Sequence, residues 1–353
     1  KYIPTNSKAV SLVLAFPLLL VMGGGGGIFN YLGRGSKRVS CANPTRDIDK
    51  YLPKGGDKIA ILIEDLNSGI EEVRACAARN LGNYKEDEVI DALNVRFLKE
   101  ISPLVKSIIL ISLDKLEVMD VGLLERVIEE SSSDDEDLCD AANKLLEDFN
   151  NKDDLFECLI SPCCDVRAFG AGRLADYKTE DVARALLKIL EIEDSHYVSV
   201  IIIESLAELG FDIVVEPLIK KLENKDTEAG MRFAIVEALR HFKDIRVARV
   251  LIERLRKDSN DRVRALSAEI LGEFGFEEAR KPLIKLLHDP CVRVRICAVK
   301  ALGTFMDLKL AKMLLRYWWV QGNEQVNIAI KETLAEFGDE EVFAHLKELR
   351  LAV

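Results

Sequence analysis

The residues with the most obvious chemical potential in this 353-residue chain are cysteines, histidines, a glycine run, and a recurring set of carboxylates and tryptophans. Cys158, Cys163 and Cys164 lie close together, and thiolates are soft metal ligands. They form no Cys-x-x-Cys pair, however, and no fourth donor stands nearby. His196, His241, His288 and His345 are followed by Tyr197, Phe242, Asp289 and Leu346, so none opens a His-Glu metal pair. Gly23 to Gly27 are five consecutive glycines, but no Gly-Lys-Ser or Gly-Lys-Thr follows them, as a phosphate loop requires. The sequence therefore identifies no catalytic residue, no metal ligand and no cofactor site. What remains is the chemistry of recognition: carboxylates at Glu204, Glu208, Glu237, Glu269, Glu273 and Glu332, and the adjacent Trp318 and Trp319.

Those residues must be positioned by something, and composition narrows what it can be. A chain of this length exceeds the usual limit for one hydrophobic core. Only 9 prolines and 7% aromatic residues suit a helical chain better than an all-β one. A net charge of −11 argues against nucleic acid, whose phosphates need a basic stripe. The 8 cysteines are scattered and show no small-scaffold disulfide spacing, which fits reduced thiols.

The N-terminal 32 residues are a different material. From Ala9 to Leu32 there is no charge, and these 24 residues as a helix of about 1.5 Å per residue would reach the roughly 30 Å of a hydrocarbon core. Tyr31 stands where an interfacial aromatic belongs. Gly23 and Gly27, four apart, would leave a bare strip on which a second membrane helix could pack. Two other readings stand beside this one: a flexible glycine linker after a shorter apolar helix, or a signal peptide with Lys1 and Lys8 as its basic start. No small-x-small cleavage site stands cleanly after it. Lys1 and Lys8 precede the span, whereas Arg34, Lys37, Arg38, Arg46 and Lys50 follow it, which places the C-terminal part on the cytoplasmic side. Residues 33–56, punctuated by Pro44, Pro53, Gly55 and Gly56, read as a linker.

The rest of the chain repeats. An apolar start residue is followed eight positions later by leucine in nine pairs: Val73/Leu81, Val105/Leu113, Leu138/Leu146, Val166/Leu174, Val198/Leu206, Met231/Leu239, Val263/Leu271, Val294/Leu302 and Val326/Leu334. Successive starts are 31 to 33 residues apart, except for one step of 28 between Leu138 and Val166. Offsets of 0, 4, 5 and 8 share one helical face, and small residues such as Ala77, Ala78, Gly170 and Ala298 there let neighbouring helices approach. Between these start helices lie second amphipathic segments, two of which carry Pro217 and Pro282 near their expected beginnings. Gly82, Gly210, Gly272, Gly303 and Gly338 fall where the start helices should stop. One such pair cannot bury its apolar face, but a stack can.

The run Asp261-Arg262-Val263-Arg264-Ala265-Leu266-Ser267-Ala268-Glu269-Ile270-Leu271-Gly272 resembles the HEAT repeat, in the short variant associated with phycobilisome lyases. Cys164-Asp165-Val166-Arg167-Ala168 and Val292-Arg293-Val294-Arg295 carry the same pattern. The resemblance covers roughly residues 57–353 and is strongest from Val166 to Phe337. It implies an interaction scaffold. It also implies that the residue after each start (Arg74, Lys106, Arg167, Arg232, Arg264, Arg295) reaches an acid of a neighbouring turn, for which Asp165, Asp261 and Asp289 are available. A HEAT-repeat hydroxylase would need His-Glu pairs, which are missing. Attachment of a bilin chromophore is the enzymatic alternative, with nothing but the repeat in its favour.

The expectation is an all-α chain: a membrane anchor over 1–32, a linker over 33–56, and an α-solenoid superhelix of about nine HEAT-like helix pairs over 57–353. Residues six and ten past each start should leave the core and face the concave groove. From Glu204 to Glu332 these rows are largely acidic, so the expected partner is a protein presenting a basic segment or face. The Ser131–Asp137 turn is a second acidic feature. Trp318 and Trp319 break the repeat pattern, one expected in the core and the other at an interface.

Overall fold

In the computed structural model of the chain, residues 58–117 and 121–337 are described. Among them there is no strand, and the helices alternate as the repeat requires. Two compact units divide the chain after Phe149, within the shortened 28-residue step.

The first unit contains α1 (Lys58–Leu66), α2 (Glu71–Leu81), α3 (Asp87–Lys99), α4 (Pro103–Leu116), α5 (Val121–Glu130) and α6 (Glu136–Asp148). The start helices are α2, α4 and α6, and each packs on the next. Helix α4 begins where Ser102 accepts a hydrogen bond from the Val105 N–H at 3.3 Å, with Pro103 at the first helical position. Asp135 caps α6 in the same way. Val105, Ile109, Leu110 and Leu113, the residues at offsets 0, 4, 5 and 8 of α4, are buried. The flanking helix α3 contributes Val89, Leu93 and Phe97, spaced by four and all fully buried.

The second unit contains α7 (Lys152–Cys158), α8 (Cys164–Leu174), α9 (Glu180–Ile192), α10 (His196–Leu209), α11 (Val215–Glu223), α12 (Ala229–Leu239), α13 (Ile245–Lys257), α14 (Asp261–Phe274), α15 (Glu277–Leu286), α16 (Val292–Gly303), α17 (Leu308–Gln321) and α18 (Glu324–Phe337). Its start helices α8, α10, α12, α14, α16 and α18 stack in order, each preceded by its flanking helix. Val247, Leu251 and Leu255 on α13 repeat the four-residue spacing of α3.

Two local expectations are corrected. Gly272 does not end α14: it lies inside the helix, and a Cβ built on it would stand 2.6 Å from the Ala301 Cα. Its role is to let α14 and α16 touch backbone to backbone. The stop is Gly275, whose φ of +68° favours a residue without a Cβ. Pro282 is not near a beginning but well inside α15, where it costs that helix one backbone hydrogen bond. Pro217, by contrast, is the third residue of α11, as expected.

Among the described residues no helix is long and apolar enough to cross a membrane. The uncharged stretch with Gly23 and Gly27, the linker, Gly338 and the C-terminal residues lie outside them.

Candidate protein-interaction site

Six and ten residues past the start, the side chains do leave the core. Every member of the two rows is exposed except Gly172, which is half-buried. The helical repeat thus places Glu204, Glu208, Glu237, Glu269, Glu273 and Glu332 on the solvent-exposed face of the start helices of the second unit.

These carboxylates are not equivalent. Arg240, at the C-terminal end of α12, sits between three of them. Its Nη2 donates to Glu269 at 2.8 Å, its Nη1 to Glu273 at 2.8 Å, and its Nε lies 3.4 Å from Glu237. Burial disfavours the charge on Arg240, but the Glu269 hydrogen bond and the fields of Glu237 and Glu273 outweigh it, so its pKa is raised. Glu332 faces Lys300 at 3.9 Å. Four of the six carboxylates therefore already face a cation of this chain, Arg240 or Lys300, which sequence reasoning missed. The available signal was a lone arginine nine residues past Met231, beside the two rows.

Glu204 and Glu208, on α10, have no cation partner among the described residues. Loss of hydration, and then the Glu208 carboxylate one turn on, push the Glu204 pKa up. Tyr197, at the start of the same helix, is raised by burial and then by Asp165 and Cys164 of α8 and by Glu204. Asp165 and Glu204 thus both bear on Tyr197, between α8 and α10.

Trp318 is half-buried, whereas Trp319 is 69% exposed and the following Val320 is 84% exposed. Tyr317 turns the other way: its hydroxyl donates to the Leu287 carbonyl, and its ring meets His288 edge-on with centroids 5.7 Å apart.

The cations after each start do form a ladder, but on other acids than expected. Arg74 takes Glu100, Arg167 takes Glu193, Arg232 takes Asp258 and Arg264 takes Asp289. Each pair is bidentate through Nε and Nη2, at 2.8–3.1 Å. Lys106 reaches Glu130 at 2.5 Å. Of the three aspartates named from sequence only Asp289 takes part. Asp165 and Asp261 lie in first helical turns, whereas the acceptors stand at the ends of the flanking helices or in the turns that follow. There the acid also accepts the N–H two residues on, as Asp258 does from Asn260 at 3.0 Å and Asp289 from Cys291 at 2.8 Å. One acid thus closes its own turn and ties it to the preceding start helix. The hydrogen bond from Arg167 holds the Glu193 pKa below the usual range.

Among the described residues no group of three or more His, Cys, Asp or Glu is arranged to hold a metal ion. Cys158 is buried against Gly170, while Cys76 and Cys164 are exposed.

Residues 183–269 and 248–321 match the HEAT-repeat family. No curated protein matches the sequence. Among solved structures, the karyopherin Kap121p bound to the SUMO protease Ulp1p is 16% identical over 80% of this chain, with a TM-score of 0.51. Kap121p bound to the extreme C-terminus of the protein phosphatase Cdc14p gives 16% identity, the same 80% coverage and the same TM-score of 0.51. The complex of CpcE and CpcF of phycocyanin lyase from Nostoc is 17% identical, over 80% of this chain and 98% of that one, with a TM-score of 0.29. The chain spans 37% of the length of the first karyopherin chain. Over residues 183–321, then, this protein is similar to HEAT repeats, and over four fifths of its length its fold is of the stacked helix-pair kind seen in that karyopherin.

Proposed function

We propose that the chain is a protein-binding scaffold, an accessory subunit of a larger assembly, and that it receives a basic segment of its partner at Glu204 and Glu208. The observation that carries this is the contrast along one face. Glu237, Glu269 and Glu273 converge on Arg240, while Glu204 and Glu208 meet no cation among the described residues and repel each other. A lysine or arginine supplied from outside would relieve that repulsion, which gives specificity and a salt-dependent association. A stacked helix-pair fold suits this role, because burying the apolar faces between neighbours leaves long outer surfaces for recognition.

The anchor is part of this proposal: residues 1–32 hold the chain in a membrane with the helix pairs on the cytoplasmic side. It is supported by the uncharged length from Ala9 to Leu32 and by the basic residues that follow it.

The test is recovery of partners from detergent-solubilised membranes with the full chain and with Glu204→Lys/Glu208→Lys. The scaffold reading expects a stable co-purifying protein whose capture falls with added salt and is lost in the double variant. Undiminished capture by the variant would remove Glu204 and Glu208 from the site. A pigment bound to purified protein in place of a protein partner would overturn the scaffold reading in favour of a lyase.

A further inference from the structure

The cation ladder has one rung that does not close. In the second unit its chain of contacts runs Arg232–Asp258–Arg264–Asp289–Arg295. Each acid takes the arginine of the preceding start helix on its carboxylate, and its backbone carbonyl takes Nη1 of the arginine that follows. Arg264 Nη1 donates to the Asp258 carbonyl at 3.0 Å, and Arg295 Nη1 to the Asp289 carbonyl at 2.8 Å and the Pro290 carbonyl at 3.1 Å. The Arg295 guanidinium is therefore held on one edge by the same kind of anchor as Arg264. Its other edge, Nε and Nη2, meets no acceptor among the described residues.

The residue in the acid's place is Gln321, 26 positions on, the same separation as Arg74–Glu100, Arg167–Glu193 and Arg232–Asp258. Gln321 does the acid's local work: its Oε1 accepts the Asn323 N–H at 3.0 Å. Its Nε2, a donor, is committed to the Asn323 carbonyl at 2.7 Å and the Asn327 Oδ1 at 2.6 Å. An amide so turned has no second acceptor oxygen for a guanidinium.

A neutral acceptor is not by itself unusual in this chain. At the step from α10 to α12 the acid's place, in the turn after α11, is taken by Asn224, which accepts the Asp226 N–H at 3.0 Å, but there the arginine is also replaced, by the buried Ser199. Charge is removed from both partners at that rung. At Arg295 and Gln321 only the acid is removed, and the cation is kept.

The last turn of α17 beside Gln321 carries the exposed Trp319 and Val320. Tyr317, in the preceding turn, is close enough to Arg295 for the guanidinium to counter part of the upward push that burial gives its phenol. By the 26-residue register of the ladder, the end of α17 that carries this exposed apolar pair stands at the Arg295 rung.

We propose that Arg295 is a docking point for a partner protein's acidic side chain, one flanked by apolar residues that pack on Trp319 and Val320. Four rungs of this chain show what such a fork takes: a carboxylate on Nε and Nη2. A partner carboxylate completes the fifth. The proposal requires that the chain bind protein, but it is independent of Glu204 and Glu208, which attract the opposite charge on another helix and have their own test.

The experiment uses the full chain with 15N-labelled arginine and follows the Nε–Hε signal of Arg295, assigned by its loss in Arg295→Lys. The probes are a terminally blocked peptide with a central glutamate between leucines, its glutamine twin, and inorganic phosphate. The expected result is a saturable shift with the glutamate peptide and at least about tenfold weaker response to the glutamine peptide. Gln321→Glu, which closes the fork from within, should abolish the response and raise the unfolding temperature. Silence of the wild-type signal, equal response to both peptides, an undiminished response in Gln321→Glu, or phosphate saturating at a lower concentration than the peptide would each overturn the proposal.

Discussion

Gly272 faces Ala301 so closely that a methyl group on it would stand 2.6 Å from the Ala301 Cα and 2.7 Å from its Cβ. Neither is the end of a flexible side chain, so the obstruction is backbone against backbone. Gly272→Ala is expected to force α14 and α16 apart and to cost about 1–3 kcal/mol, the range for overpacking a tightly filled space. Ala301→Gly in the same chain should recover only part of that loss, because the main chain at position 301 still obstructs the new methyl group. Urea unfolding of the single and double variants checks this. A neutral or stabilising Gly272→Ala would mean that the two helices do not touch there.

Arg232 and Asp258 form the most enclosed rung of the second unit, with the Asp258 side chain 1% exposed. Removing Arg232 leaves a buried carboxylate whose remaining cation, Arg254, stands 4.0 Å away. Arg232→Ala should therefore cost about 3–5 kcal/mol, and Arg232→Ala/Asp258→Asn distinctly less than that single change. The same denaturation series decides it, since an Arg232→Ala variant no less stable than the double one would deny the rung any burial penalty.

Glu100 in the first unit titrates far from a free glutamate. Burial alone would raise its pKa, but hydrogen bonds from Arg74, the Ser102 N–H, Arg96 and the Ile101 N–H hold it down at about 2, from 4.5. The folded value is below the unfolded one, so the unfolded chain binds the proton more readily. The contribution is complete above about pH 5 and is lost as pH falls through 4.5 toward 2. Its size is on the order of 2–3 kcal/mol. Stability measured from pH 6 to 2.5 should fall less steeply in Glu100→Gln than in the wild type. Parallel curves would show that Glu100 is not the group responsible.

Cys158 is buried, and its thiol is pushed up to about 11 by burial and then by Asp154. Cys76 is exposed on α2. Iodoacetamide at pH 8 should label Cys76 in the native protein and reach Cys158 only after denaturant is added, because the reagent requires an accessible thiolate. Mass spectrometry of peptic fragments gives the order. Early labelling of Cys158 would contradict the packing of α7 on α8.

The alternation of helices was legible in the residues alone. Burial along a stacked helix pair is periodic, so Val105, Ile109, Leu110 and Leu113 announce a buried face by their spacing, and nothing distant is needed to interpret them. The outward direction of Glu204, Glu237 and Glu269 follows from the same period. Gly272 shows where that reading fails. A glycine near a helix end looks like a stop signal, and only the distance to Ala301, 29 residues on, reveals it as a point of close helix packing.

The tertiary structure decided the pairing of charges, because an ion pair depends on distances between turns and not on periodicity along one helix. It set Arg240 among three glutamates that the sequence presented as an open acidic row, and it moved the acceptors of the ladder from Asp165 and Asp261 to Glu193 and Asp258. It also committed the amide of Gln321, unremarked in the sequence, to its own turn, and left Nε and Nη2 of Arg295 without an acceptor among the described residues. Helical period is a local property that any stretch of some fifteen residues reveals. The state of a charge belongs to whatever the fold brings within a few ångströms of it.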